Sequence, residues 1–163
     1  MKGKNQTRKI TGNIFDLSLR DVSFAWPSGT KVLDKCTFSI TRPGLWMIVG
    51  SNGSGKSTLF RLLSGMIKPQ TGQINCSFKP ALMFQNPDHQ LLLPTCRSDL
   101  MLSIPRHLSN REREDRINNV LERVDLGGMA NRSIHTLSGG QKQRLALAGA
   151  LASEAKLLLL DEP

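Results

Sequence analysis

The segment Gly50-Ser-Asn-Gly-Ser-Gly-Lys-Ser57, the phosphate loop, matches the pattern GxxxxGK(S/T). An apolar run, residues 45–49, precedes it, and residues 56–67 after it have the apolar spacing of a helix. Glycines let the backbone wrap closely, so that successive N–H groups point at phosphate oxygens. The helix that begins here directs the positive end of its dipole at the same anion. The sequence therefore predicts a nucleoside triphosphate site in an α/β fold.

Each residue of the phosphate loop has an expected contact with the nucleotide. Lys56 brings a mobile positive charge to the β- and γ-phosphates, and we assign it to catalysis as well as to binding. The hydroxyl of Ser57 is placed to bind Mg²⁺. The predicted nucleotide-binding residues here are Gly50, Ser51, Asn52, Gly53, Ser54, Gly55, Lys56, Ser57 and Thr58.

Two carboxylates follow a second apolar run. Residues 157–160 are all leucine, and Asp161 and Glu162 come directly after them. The carboxyl ends of strands in an open parallel sheet face the ligand crevice, so both side chains are expected beside the phosphate loop. Asp161 is predicted to hold Mg²⁺, and Glu162 to activate the attacking water as the general base.

A third motif, Leu137-Ser-Gly-Gly-Gln-Lys-Gln-Arg144, opens an amphipathic segment that predicts a helix over residues 141–156. A serine hydroxyl, two glycine N–H groups and a helix N-terminus make a second potential anion site. Its predicted nucleotide-binding residues are Ser138, Gly139, Gly140 and Gln141.

With these three motifs in this order, the sequence resembles the ATP-binding cassette (ABC) ATPases. The resemblance implies ATP as substrate, Mg²⁺ as cofactor and a head-to-tail pair of subunits, in which residues 138–141 of one subunit close over the γ-phosphate held by the other. It also implies that Trp26 stacks on adenine and that Gln85 is a catalytic residue that contacts Mg²⁺ or the attacking water. Taken without the family, Trp26 is as readily a core or surface-turn aromatic, and Gln85 a helix-capping amide.

The segments around these two residues narrow the resemblance. Phe84-Gln-Asn-Pro-Asp-His-Gln90 and Val22-Ser-Phe-x-Trp-Pro-x-Gly29 are similar to segments of the ATPase subunits of energy-coupling-factor importers and their cobalt-transport relatives. This implies ATP hydrolysis coupled to import at the cytoplasmic face of the membrane, with a peripheral position. The implied partners are a transmembrane transporter subunit and a second ABC ATPase subunit, identical or different. Residues 91–94 are either a surface that contacts the membrane subunit or a segment buried inside the helical insertion.

Taken together, the patterns predict a P-loop NTPase core with a mostly parallel sheet, an N-terminal antiparallel β part and a helical insertion. Strands are expected over residues 17–24, 36–40, 45–49, 81–84 and 157–160, and the strand over residues 45–49 is expected to be buried on both faces. Asn110 is expected to cap a helix with one buried face. We expect a basic tail over residues 1–16, a partial ABC ATPase domain over residues 17–163 and the insertion over about residues 86–136.

The composition excludes several classes of protein. The chain has 163 residues, and no apolar run approaches the roughly 20 residues that cross a bilayer. Its three cysteines contain no CxxC pair, which favours neither a disulfide framework nor a zinc site. The net charge of +9 includes four basic residues within residues 1–9, a stretch without acidic residues, so no nucleic-acid partner is expected.

Two other functions stay open on the sequence alone. The positive charge would suit a soluble ABC ATPase that acts on nucleic acid or ribosomes, and the chain would also fit an inactive nucleotide-binding fragment. Members of the family continue beyond the Asp-Glu pair with a dimer-contacting loop and a switch histidine, a role that His135 does not fill. The chain as given is therefore expected to be C-terminally incomplete and inactive by itself. The transported substrate is not indicated, since cobalt, nickel, biotin or another vitamin are all compatible.

Overall fold

The computed structural model of the protein describes residues 16–161. Its strands are β1 (Leu17–Ala25), β2 (Lys31–Ile40), β3 (Thr71–Cys76), β4 (Pro80–Met83) and β5 (Leu157–Leu160). Its helices are α1 (Lys56–Leu63), α2 (Cys96–Ser103), α3 (Asn110–Arg123) and α4 (Gly139–Ala152), with short 3-10 turns at Pro87–His89 and Ile134–Thr136. An antiparallel sheet has the order β2-β1-β3, and β4 pairs with β5 in parallel. The predicted fold class, with its antiparallel N-terminal part, parallel strands and helices, is confirmed.

The central strand β1 carries one face of the antiparallel sheet into an apolar core. Leu17 and Leu19 are two residues apart, as strand alternation requires, whereas the next buried residue, Val22, comes three residues after Leu19. Asp21, at φ 49, takes up the extra residue, and the pairing register shifts there. The other core members are Phe24, the α1 residues Leu59, Leu62 and Leu63, and Leu159 of β5. This sheet core therefore holds the helix of the phosphate loop against β1 and β5.

A second apolar core lies among the helices and is formed by residues between Cys96 and Ala152. α3 contributes Ile117, Val120 and Leu121, and α4 contributes Leu145, Ala148 and Ala152. α2, α3 and α4 each begin at a capping box, in which the side chains of Thr95, Ser109 and Ser138 accept a backbone N–H. The described residues thus form a sheet core and a separate helical core.

Residues 45–49 are the main correction to the sequence-based prediction. They form no strand, and the exposed fractions are 93% for Leu45, 82% for Met47 and 85% for Val49. A strand needs neighbours that exchange backbone hydrogen bonds with it. Neither sheet of the described region includes this segment, so its apolar pattern does not produce the predicted buried strand.

Several other elements follow the prediction with shifted ends. The helix predicted over residues 56–67 ends at Leu63, and α4 begins at Gly139 instead of residue 141. Ser109, and not Asn110, is the capping residue of α3, because the Ser109 hydroxyl accepts the N–H of Glu112. β3 and α2 are absent from the prediction.

The two ends of the chain differ in what the structure describes. Residues 1–15, most of the predicted basic tail, and residues 162–163 lie outside the described residues. Asp16, placed in the tail by the prediction, donates its N–H to Ser77 Oγ at 3.0 Å and accepts the Ser77 N–H at 2.9 Å. Asp16 therefore belongs with the sheet. Within residues 16–161 every helix is too short or too polar to cross a membrane.

Candidate functional site

A cavity of about 450 Å³ lies between the β1–β2 turn, the start of α1 and the segment after β4. It is lined by Trp26, Thr30, Val32, Asn52, Gly53, Gly55, Lys56, Ser57, Thr58 and Gln85. The fold thus brings together three segments that are far apart in sequence and that carry most of the predicted nucleotide contacts.

Glycine geometry and a lysine hold the phosphate loop in place. Gly55 precedes α1 at φ 93, and a Cβ there would lie 2.7 Å from Val32 Cγ1, so only glycine allows the loop to pack this closely on β2. Lys56 Nζ donates to the carbonyl oxygens of Gly50 and Ser51, each at 2.9 Å. The ammonium group therefore lies within the loop, where phosphate oxygens could replace these carbonyls.

The residues of the loop differ in their relation to the cavity. Gly50, Ser51 and Ser54 are not part of its lining. The N–H of Ser54 donates to the carbonyl of Ser51 at 3.2 Å, so these residues close a turn within the loop. Ser57 is exposed at the lining, and Thr58 is buried.

Trp26 is placed in the cavity wall by the turn between β1 and β2. Its N–H donates to the carbonyl of Thr30 at 3.0 Å, and its carbonyl accepts the N–H of Gly29 at 2.8 Å. Its ring packs edge-on against Phe24, with centroids 5.1 Å apart and an interplanar angle of 90°. This contact orients the indole and leaves the half-buried ring at the cavity, where a flat base could stack on it.

Two lining residues, Thr30 and Val32, are missing from the sequence-based site. Val32 is an apolar residue on β2, and such a residue is ordinarily expected to pack in a core and not to line a binding site. Thr30 follows a Pro-Ser-Gly turn and has no motif of its own. Their place in the cavity follows from the β1–β2 hairpin, which the sequence predicts only in outline.

The parallel pair β4–β5 brings the segments of Gln85 and Asp161 to one edge. Met83 pairs with Leu160, and the N–H of Asp161 donates to the carbonyl of Met83 at 3.1 Å. Gln85 lines the cavity, whereas Asp161 is only 9% exposed and is not part of the lining. Glu162, the predicted general base, lies outside the described residues.

The chemistry of two predicted ligands suits Mg²⁺. A serine hydroxyl, from Ser57, and a carboxylate, from Asp161, are hard oxygen ligands of the kind that this ion prefers. Within residues 16–161 no group of three or more His, Cys, Asp and Glu side chains is arranged to hold a metal. Mg²⁺ is commonly bound by one or two carboxylates together with the phosphates of a substrate, and the side-chain chemistry of Ser57 and Asp161 is compatible with such binding.

The signature, residues 138–141, lies at the start of α4 and outside the cavity lining. The Ser138 hydroxyl accepts the N–H of Gln141 at 3.3 Å, and Gln141 Oε1 accepts the N–H of Ser138 at 2.9 Å. Ser138, Gly139 and Gly140 are exposed, and a Cβ at either glycine would meet nothing within 4 Å. The signature is therefore an open, preformed helix start that contributes nothing to the cavity of its own chain.

Comparisons with known proteins agree with these motifs. The family described as ABC transporter matches residues 33–163. The ABC transporter I family member 10 of Arabidopsis thaliana is 44% identical over 133 residues, which cover 80% of this chain and 49% of that protein. The energy-coupling factor transporter ATP-binding protein EcfA of Methanothermobacter thermautotrophicus is 38% identical over 164 residues, which cover 90% of this chain and 52% of EcfA.

One solved structure is similar to this chain in both fold and sequence. It is that of cbiO1 from Clostridium perfringens, described as part of the ABC transporter complex cbiONQ. The TM-score is 0.78 at 32% identity, and the match covers 92% of this chain and 66% of cbiO1. This chain spans about half the length of the curated relatives named above. The matched range includes the phosphate loop, Gln85, the signature and Asp161, and the chain therefore belongs to the ABC transporter family.

Proposed function

We propose that the protein binds and hydrolyses ATP as the nucleotide-binding subunit of a membrane importer of the energy-coupling-factor type, with a metal ion or a vitamin as cargo. The observation that carries the proposal is the cavity in which the phosphate loop, Trp26 and Gln85 meet. Similarity to two transporter proteins, the energy-coupling factor ATP-binding protein EcfA and cbiO1 of the cbiONQ complex, supports this transporter class. The proposed location is the cytoplasmic face of the membrane, with peripheral attachment.

ATP binding would use two ends of the cavity. Adenine would stack on the face of Trp26, beside the side chains of Thr30 and Val32. Lys56 would exchange its two carbonyl partners for β- and γ-phosphate oxygens, a stronger, charge-assisted pairing. The N-terminus of α1 would add its dipole to the same anion.

Hydrolysis would use the residues that follow β4 and β5. Ser57 and Asp161 would hold Mg²⁺, and the ion, when bound, supplies neutralising charge for the transferring phosphoryl group. Gln85 would orient the attacking water. Glu162, directly after Asp161 in sequence, would accept the proton of that water as the general base.

The exposed signature supports the proposal of a second ATPase subunit. Ser138, Gly139 and Gly140 face solvent and lie outside the cavity, so their anion-binding groups are available to another molecule. A head-to-tail pair would place the signature of each subunit over the nucleotide of the other. The second subunit would be identical to this chain or encoded separately.

A transmembrane partner would contact apolar side chains near α2. Leu92 is 73% exposed and Leu102 is 60% exposed, whereas Leu91 packs against the helical core. Asp99 Oδ1 accepts the N–H groups of Leu92 and Leu93, at 2.7 and 3.0 Å, which fixes this loop. Exposed apolar side chains on an ordered loop are typical of an interaction surface.

The experiment that tests the proposed function is a titration of the chain with ATP and Mg²⁺, followed by calorimetry or with a fluorescent ATP analogue. We expect binding by the parent chain and a dissociation constant at least about tenfold higher for Lys56→Ala, because a hydrogen bond to a charged group contributes about 1.5–3 kcal/mol.

The matched control is Lys68→Ala, which removes an equal charge from an exposed position outside the cavity. This variant is expected to bind ATP as the parent does. Equal affinities for the parent and Lys56→Ala would contradict the assignment of the phosphate loop.

A further inference from the structure

An ion pair links the segment of Gln85 to the start of the signature helix. Lys142 Nζ lies 2.7 Å from Asp88 Oδ1, and the two residues are 54 positions apart in sequence. The Lys142 side chain is 20% exposed and the Asp88 side chain 60% exposed. The other described long-range pairs, Arg97–Glu114 and Arg116–Glu154, join the helices and the segment after α4.

The Asp88 end of the pair belongs to a braced turn, residues 84–91. Asn86 Oδ1 accepts the N–H of Asp88 at 2.9 Å, and the carbonyl of Pro87 accepts the N–H groups of Gln90 and Leu91 at 2.9 and 3.0 Å. Gln90 Oε1 in turn accepts the N–H of Phe84 at 3.3 Å, which joins the last residues of the turn to its first. Gln85 is therefore part of a compact unit that a force on Asp88 would move.

The Lys142 end is joined as closely to the signature. The N–H of Lys142 donates to the carbonyl of Ser138 at 2.9 Å, in the first turn of α4. The capping box between Ser138 and Gln141 fixes the same turn from the other side. A displacement of Lys142 would therefore displace the groups that form the open anion site.

We propose that Asp88 and Lys142 are positioning residues, and that their ion pair couples the turn that carries Gln85 to the signature, so that a nucleotide in the cavity of one subunit sets the position of that subunit's own signature. The inference rests on the proposed function for its nucleotide-dependent part. The pair does not touch substrate: it acts through Gln85 on one side and through the first turn of α4 on the other. The coupling links the two sites through the hydrogen bonds of the turn, the ion pair and the first turn of α4, together with the covalent chain between them.

The test is hydrogen exchange, measured by mass spectrometry on the whole chain with and without Mg²⁺ and ATP. Without nucleotide, Asp88→Asn and Lys142→Met are expected to raise exchange in residues 84–91 by about two- to fivefold, the range for a partly exposed ion pair. With ATP, both variants should keep the protection of the phosphate loop and lose the ATP-dependent change at residues 138–142. Lys142→Arg keeps the charge and should behave as the parent.

Two controls separate coupling from general destabilisation. Glu154→Gln breaks a comparable ion pair to Arg116, at 2.7 Å, and should leave exchange in residues 84–91 unchanged. The exchanged pair, Asp88→Lys with Lys142→Asp, should restore the parent pattern at both segments. Parent-like exchange in both single variants, with or without ATP, would overturn the proposal.

The nucleotide-free part of the test stands independently of ATP. If the phosphate loop of the parent shows no protection with ATP, the proposed function is wrong, and exchange without nucleotide still decides whether the pair holds the turn. If the loop is protected but the signature of Asp88→Asn responds as in the parent, the proposed function stands and the coupling is wrong.

Discussion

Lys56 and Trp26 line one cavity but suit different parts of a nucleotide. Lys56 Nζ is held 2.9 Å from two loop carbonyls that phosphate oxygens can replace, whereas Trp26 offers an aromatic face fixed by its edge contact with Phe24. A charge contributes little to stacking, and an indole contributes little to phosphate binding. The two contacts can therefore be removed one at a time.

Trp26→Ala is expected to weaken ATP binding about fivefold or more, because stacking of a base on an aromatic ring contributes about 1–3 kcal/mol. Trp26→Tyr keeps an aromatic face and should stay close to the parent. The measurement is the dissociation constant for ATP, with inorganic triphosphate as a ligand that has no base. A loss of triphosphate affinity equal to the loss for ATP would show that Trp26 supports the loop and not the base.

Glu162→Gln tests the assigned general base. The amide keeps the shape of the side chain but does not accept a proton, so the hydrolysis rate should fall roughly 10²-fold, while ATP binding persists because Lys56, Ser57 and Asp161 are unchanged. Phosphate release is measured in a form of the protein that hydrolyses ATP. Glu122→Gln, at an exposed position, is the control. Unchanged release from Glu162→Gln would mean that another residue is the base.

The sequence predicts those site residues that belong to contiguous motifs. A phosphate loop works through backbone N–H groups and one lysine, so its residue types and spacing are set locally. Thr30 and Val32 enter the cavity only because a hairpin brings them there, and neither has a distinctive residue type. The roles assigned to all of these site residues, Gln85 and Glu162 included, stay predictions.

Among the helices and strands, those whose own residues show a clear apolar pattern are predicted best. β1 has a clear apolar alternation and β5 is a continuous apolar run, and both are predicted to within one residue of their observed ends, as is the start of α3. β3 has partly buried Ile74 and Cys76 on an otherwise exposed strand, and α2 buries little beyond Cys96 and Leu100. The prediction for residues 45–49 fails for the opposite reason: their apolar pattern is strong, but a strand also needs neighbouring strands to pair with.

Gly72 of β3 tests the close approach of this strand to the irregular part of β1. It has φ +83, and a Cβ there would overlap the carbonyl oxygens of Arg20 and Asp21. Gly72→Ala is expected to lower the free energy of unfolding by about 3 kcal/mol or more. The cost of the left-handed backbone conformation and the cost of the steric overlap both contribute to this loss. The measurement is denaturant unfolding.

The matched control is Gly65→Ala, at φ +76 with nothing within 4 Å of the added Cβ. It carries only the cost of the left-handed conformation, about 1–2 kcal/mol. Equal losses at the two glycines would mean that β1 moves aside without cost.

At the scale of the whole molecule, residues 45–49 are the longest run of exposed apolar side chains within residues 16–161. Five apolar residues in a row, with no charge among them, favour association through β-strand pairing between molecules. Residues 1–163 expressed alone are therefore expected to be prone to aggregation. Replacing Leu45, Met47 and Val49 together by Ser should raise the soluble fraction severalfold, as measured by sedimentation and light scattering.

The control for this prediction is a polar substitution at a buried site. Leu19→Ser, at a position that is 1% exposed, removes core burial and should lower the soluble fraction. Unchanged aggregation of the triple variant would mean that another surface causes the association, and Leu92 and Leu102 are the next exposed apolar positions to test.

The sheet core and the helical core are separate, so the boundary between them is where one part of the molecule could rotate against the other. The side chains that pack most tightly lie within one core or the other, so a rotation of α2, α3 and α4 against the sheet would expose less apolar surface than unfolding of either core. The turn of residues 84–91 lies at this boundary, with the cavity on one side and α4 on the other. We therefore expect a rotation between the two cores to change the distance between the phosphate loop and the signature with little change in secondary structure.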